Sequence, residues 1–133
     1  MKTLPLRLMP GQDLRATLAG VLAGHGASAG FVVQGIGSLL GARLRLAGAP
    51  DATELEGDIE ILTLAGSLSP DGPHLHMALA DANGRVMGGH VLAGCTIRTT
   101  AEILIALLPD HRFAREPDAA SGFDELVVHS HDC

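Results

Sequence analysis

The sequence contains no tryptophan or tyrosine and only three phenylalanines. So few aromatic rings leave almost none of the stacking platforms on which readers of single-stranded nucleic acid lay successive bases. Cations are scarce too: nine Lys and Arg stand against fifteen Asp and Glu, for a formal charge of -6. A protein that neutralises phosphates presents a basic stripe, so charge disfavours DNA as a partner. Two cysteines, Cys95 and Cys133, are too few to staple a domain of this size and read as reduced thiols. No run approaches the roughly 18–20 apolar residues that span a bilayer, and the Met1 to Leu8 segment is too short and punctuated for a signal peptide. The expectation is a cytoplasmic protein with no membrane partner.

What remains is apolar and rich in glycine: 47% of the 133 residues are hydrophobic, 18% charged, and seventeen are glycines. That is enough to bury one core, with many tight turns and close backbone approaches. We expect a single domain over residues 1–133, with a flexible tail from about 130 to 133.

Thr3 to Leu8 alternate as a strand, and after Pro10-Gly11 the apolar positions Leu14, Leu18, Val21 and Leu22 recur at helical spacing. Ala29 to Ile36 reads as a buried strand, Gly35 to Gly41 as a turn region, and Ala42 to Leu46 as an alternating strand with one wet face. Asp58 to Ala65 gives another strand, followed by a polar loop from Ser67 to Pro73. Thr96 to Leu108 is ambiguous: Ala, Glu and Leu suit a helix, the isoleucines and threonines a strand, and its length tips the reading toward a helix. Pro109 to Gly122 is charged and punctuated, and Phe123 to His129 offers a last strand. The sum is an α+β domain with mostly hairpin-connected, antiparallel strands.

The strongest turn signal is Asn83-Gly84, between the segments His74 to Ala80 and Val86 to Ala93. Three of the seven histidines lie in this hairpin, and its register decides whether they meet. A two-residue loop would pair Ala82 with Arg85 and turn His90 to the opposite face from His74 and His76. A three-residue loop, Ala82-Asn83-Gly84 with Gly84 left-handed, pairs Asp81 with Arg85 and sets His76 directly opposite His90, with His74 as diagonal neighbour. Opposite charges at Asp81 and Arg85 favour this second register. Three imidazoles would then converge on one ion, and zinc bound this way keeps an open position for water or a ligand. Without that register, His74 and His76 are ordinary strand residues.

The runs Gly57-Asp-Ile-Glu-Ile-Leu-Thr-Leu-Ala-Gly-Ser-Leu-Ser, Pro73-His-Leu-His-Met-Ala-Leu-Ala-Asp and Gly88-Gly-His-Val-Leu-Ala-Gly-Cys-Thr resemble the prokaryotic branch of the plants and prokaryotes conserved (PPC) domain family. Thr100-Ala-Glu-Ile-Leu-Ile and Ser121-Gly-Phe-Asp-Glu-Leu extend the likeness over nearly the whole chain. The resemblance implies a compact α+β domain with a strongly curved, mostly antiparallel sheet flanked by helices, assembling as a homotrimer. It also implies a metal, with zinc as the expected ion, held by the histidines matching His74, His76 and His90. In plant members a basic AT-hook with an Arg-Gly-Arg-Pro core precedes this domain and accounts for minor-groove binding, and no such core occurs here.

Three functions follow as expectations. The first is a homotrimeric zinc-binding protein with an unassigned small-molecule ligand or reaction at the open position. The second is a DNA-binding or regulatory oligomer, which needs a basic cluster such as Arg43, Arg45 and Arg85. The third is a hydrolase-like enzyme with zinc-activated water, for which Glu60 or Glu102 is a candidate base. Whether any reaction is catalysed stays open, as does a second metal site at His129, His131 and Cys133, against which a frayed tail is the plainer reading. Cys95 reads as a core thiol, and His25 and His111 as surface residues.

Overall fold

The computed structural model describes residues 1–130. Eight strands and two short helices follow in the order β1 (Lys2–Leu8), α1 (Leu14–Ala19), α2 (Val21–Gly24), β2 (Gly30–Arg45), β3 (Ala52–Ser69), β4 (Gly72–Asp81), β5 (Val86–Val91), β6 (Ile97–Leu107), β7 (His111–Pro117) and β8 (Asp124–Ser130). Six strands form one antiparallel sheet in the order β1-β6-β2-β3-β4-β5, and β7 and β8 form a separate hairpin. The far end of β2 also pairs with β5, Leu44 with Val91 and Arg45 with His90. The sheet therefore rolls until its last strand meets the middle one, as the resemblance to a curved sheet implied.

Long strands that must bend need breaks in their register, and β2 and β3 have them. Pairing shifts between Val32 and Gln34, between Gly37 and Leu39, and between Leu40 and Ala42, where Gly41 has φ +78°. Such bulges add local bend and twist. The region from Gly35 to Gly41 is thus no turn: it is the kinked middle of one sixteen-residue strand. Gly35 faces Leu64 and Ile103, and a Cβ there would already lie 3.2 Å from Leu64.

The core lies inside the roll, capped by α1. Alternation places Leu39, Leu44, Ile59, Leu64, Leu75, Leu79, Ile97 and Ile105 inward, each almost wholly buried. With six residues α1 is too short to be stable alone. Burial of Leu14 and Leu18 holds it, together with Asp13, whose Oδ2 accepts from the Ala16 amide at 2.8 Å and whose Oδ1 accepts from the Gly94 amide at 2.7 Å. "Flanked by helices" overstates this fold: α1 and α2 have six and four residues. No helix of the described residues is long and apolar enough to cross a membrane.

Three further expectations give way to long-range pairing. Thr96 to Leu108 is strand β6, not a helix. Flanked by β1 on one side and β2 on the other, it buries Ile97, Ala101, Ile103, Ile105 and Leu107 at period two, and this overrides its helix-forming residues. The Ser67 to Pro73 loop shrinks to residues 70–71, because β3 and β4 pair through Ser69 and Gly72. The punctuated segment after Pro109 contains β7, anchored by Phe113, which is buried edge-on against Phe31 with ring centroids 5.7 Å apart.

Gly66 lies opposite Leu75, between the pairs Ala65–His76 and Ser67–His74, with φ +156°. A Cβ there would collide with the His74 carbonyl oxygen and come within 2.8 Å of the Leu75 Cα. Gly66→Ala is expected to lower stability by about 1–3 kcal/mol, read as a lower urea midpoint at unchanged m. Wild-type stability in this variant would refute the close approach.

Candidate metal centre

The β4–β5 hairpin has the three-residue loop. Gly84 has φ +76°, its amide donates to the Asp81 carbonyl at 2.9 Å, and the Asp81 amide donates to the Arg85 carbonyl at 2.9 Å. Register follows: Ala80 faces Val86 and His76 faces His90. The favourable match of Asp81 with Arg85 has another physical origin than the one expected. The Asp81 carboxylate accepts the backbone amides of Asn83 and Arg85, both at 2.9 Å, and so ties the turn instead of pairing with the guanidinium.

Along β4, Pro73, Leu75, Met77 and Leu79 point inward, which turns His74 and His76 to the outer face. Across the sheet, register makes a row of Ala65, His76, His90 and Arg45 on that face, with Ser67 and His74 in the next row. Ring centroids lie 4.9 Å apart for His74 and His76, 5.2 Å for His74 and His90, and 5.9 Å for His76 and His90. One nitrogen from each ring falls within 4.8 Å of the others. A tetrahedral ion with bonds of about 2.0–2.1 Å sets its nitrogens roughly 3.3 Å apart, so capture asks for a contraction of order 1 Å. The donor set and spacing fit a transition metal, and zinc among them.

Electrostatics favour the neutral, ligating form. Burial, then Arg45, the other two imidazoles and Arg15, pushes His90 down to about 4 from 6.5. His74 is lowered by burial first, then by Arg115 and His76, against an upward pull from Glu125. Neutral imidazole offers the lone pair that a metal needs.

Other candidates lie elsewhere. Glu60 faces solvent opposite Ala80, four residues along β4 from His76 and so roughly 13 Å away, while Glu102 is exposed opposite Ile36. Neither reaches the histidines. Cys95 is fully buried and holds the Arg43 backbone, accepting from its amide at 3.4 Å, and burial raises its pKa. Arg43, Arg45 and Arg85 do not act as one cluster: the Arg43 guanidinium pairs with Glu54 at 3.4 Å, and Arg85 sits at the hairpin turn. His25 Nδ1 donates to the Val21 carbonyl at 2.9 Å, at the end of its own helix, and His111 opens β7. His129 lies in β8 opposite Arg112, whereas His131 and Cys133 are outside the described residues.

Sequence reasoning missed the frame around the histidines. Arg15 of α1 donates from Nη2 to the Pro73 carbonyl at 3.2 Å, and Arg115 of β7 donates from Nη2 to Ser67 Oγ at 2.6 Å. Glu125 of β8 lines a cavity of about 370 Å³ with His74, His76 and Arg115. No motif spacing joins these positions, which tertiary packing alone brings together.

A rolled, nearly all-antiparallel sheet with an imidazole cluster on its outer face places this chain among small β-rich domains. The profile of the Plants and Prokaryotes Conserved (PCC) domain matches residues 1–109, and the chain belongs to that family. Proteins named Bifunctional protein GlmU from two Synechococcus strains, JA-2-3B'a(2-13) and JA-3-3Ab, are each 50% identical over 128 residues, 96% of this chain. The chain spans about a fifth of the length of these relatives, 20% and 21%. A hypothetical protein from Salmonella has a closely similar structure, with TM-score 0.93 and 40% identity over 97% of this chain and 94% of its own. A metal-containing protein from Archaeoglobus fulgidus is similar at TM-score 0.81 and 25% identity, over 96% of this chain and 94% of its own.

The lowered His90 pKa has a consequence for stability. Between 6.5 and about 4 the unfolded chain binds the proton that the folded protein resists, so metal-free protein loses stability as pH falls through this window. His74 adds an effect of the same sign. Thermal melts of metal-free wild type and His90→Gln across this range are expected to show a flatter profile in the variant. Parallel profiles would contradict the burial and charge environment assigned to His90.

Proposed function

We propose that this chain is a homotrimeric metal-binding domain in which His74, His76 and His90 hold zinc, with one position left for a small ligand. The observation that supports it most directly is the convergence of three imidazole nitrogens within 4.8 Å on a sheet face, in a register set by an asparagine-glycine turn. The metal-containing relative from Archaeoglobus agrees with this reading. Bound by three nitrogens, the ion supplies Lewis-acid polarisation to a ligand at its remaining position. The chain's own residues do the rest: β4 and β5 orient the rings, and burial with neighbouring arginines keeps His74 and His90 unprotonated.

Assembly as a homotrimer is supported by the sheet's outer face, which exposes Val33, Ile36, Leu62 and Leu104. Large apolar side chains gathered on one face mark contact surfaces. Cytoplasmic residence accords with the free, buried thiol of Cys95. A hydrolytic role is the second reading, favoured by Glu125, a carboxylate in the same cavity as His74 and His76. The acidic chain, the pairing of Arg43 with Glu54 and the position of Arg85 at the hairpin turn speak against the DNA-binding reading.

Elemental analysis of untagged protein after metal-replete expression is expected to give close to one zinc per chain. His76→Ala should lose it while keeping its fold by circular dichroism. Light scattering should give three times the 13.7 kDa chain mass. Metal-free wild type under these conditions would reject the metal, and a monomer would reject the assembly.

A further inference from the structure

Three of the nine basic residues converge beside the histidines, in a chain whose net charge is -6. Arg15, Arg45 and Arg115 line one cavity of about 440 Å³ together with His74 and His90. They arrive from separate places: α1, the end of β2, and the β7–β8 hairpin. Arg45 stands in the same cross-strand row as His90, while Arg115 is anchored on Ser67, the cross-strand partner of His74. The guanidiniums therefore flank the triad on two sides.

Their counter-charges are incomplete. Among the described residues the ion pairs within 4.0 Å are Arg43 with Glu54 and Arg98 with Asp58, so none of these three guanidiniums has a carboxylate that close. Asp71, Asp124 and Glu125 line the same cavity, but the Asp71 carboxylate accepts the Arg115 backbone amide at 2.8 Å. Arg15 and Arg115 each commit one Nη2 to a neutral oxygen, which leaves most of the five N–H donors of each guanidinium free. Gathering three like charges with no carboxylate in direct contact is costly, and forked donors match the two oxygens of a carboxylate or phosphate.

We infer that the histidine centre serves a small anionic ligand, bearing a carboxylate or phosphate, whose charged group is held by Arg45 and Arg115 with help from Arg15. This rests on the metal reading above for the ligand's other contact, and gives that reading a substrate class. The cavity volume suits a small metabolite-sized molecule. Arg115 lies beyond the residues 1–109 that match the family profile, so an anion-holding group comes from outside the matched part.

The test is calorimetric titration of zinc-loaded protein with inorganic phosphate and with succinate, and with dimethyl succinate as a neutral control. Wild type is expected to bind one or both anions and not the diester. Arg45→Gln, at an exposed position, should weaken anion binding by about tenfold or more when variant and wild type are compared at full zinc loading. Arg85→Gln makes the same change of charge at the hairpin turn and should leave binding unaltered. Arg115→Gln should act like Arg45→Gln. Absence of anion binding to zinc-loaded wild type, or equal losses in Arg45→Gln and Arg85→Gln, would overturn the inference while leaving the metal intact. If the protein takes up no zinc yet binds the anions through Arg45, the anion site stands and the metal reading falls.

Discussion

The register of one β-hairpin is the constraint on which the candidate site depends. Side chains alternate between sheet faces, so sliding β5 by one residue against β4 would carry His90 to the face occupied by Leu75 and Leu79. Gly84 supplies the left-handed backbone of the loop, and the Asp81 carboxylate captures the amides of Asn83 and Arg85. The buried alternation of β4 then locks the choice, because the other register would place an imidazole in an apolar core.

Close backbone approach is the second requirement. A Cβ on Gly88 would come within 2.7 Å of the Met77 carbonyl, and one on Gly89 within 2.8 Å of the Arg45 carbonyl. Glycine before His90 thus lets β5 fit between β4 and the bent end of β2. That closure places Arg45 beside His90, where a flat sheet would leave β5 as a free edge. Curvature of the fold and the electrostatics of the centre are therefore one problem: bulges in β2 bend the strand that delivers the guanidinium.

Charge and coordination are also linked. Burial first, and then the neighbouring arginines, lower the pKa of His74 and His90, yet the positive field of those arginines opposes a cation at the rings. An anion in the adjoining cavity relieves that opposition, so metal and anion would strengthen each other's binding, each to the same degree. The carboxylate of Glu125 supplies a fixed, partial version of this compensation.

Much of the local chemistry was readable in the linear order of residues. Alternation around His74 and His76, the Asn83-Gly84 turn and the position of His90 were enough to bring the triad together once the three-residue loop was considered. Element type was readable where a single period dominated, as in β1 and β4. It failed in β6, whose Ala, Glu and Leu favour a helix until β1 and β2 pair on either side, and in β7, where charge and proline hid a strand anchored by Phe113. By itself the sequence determined what neighbours within a hairpin could determine: the turn, two candidate registers and, in one of them, the meeting of three imidazoles. Tertiary structure alone decided that Arg15, Arg45, Arg115 and Glu125 surround them, because contacts between distant segments follow from packing and strand closure, which no spacing along the chain encodes.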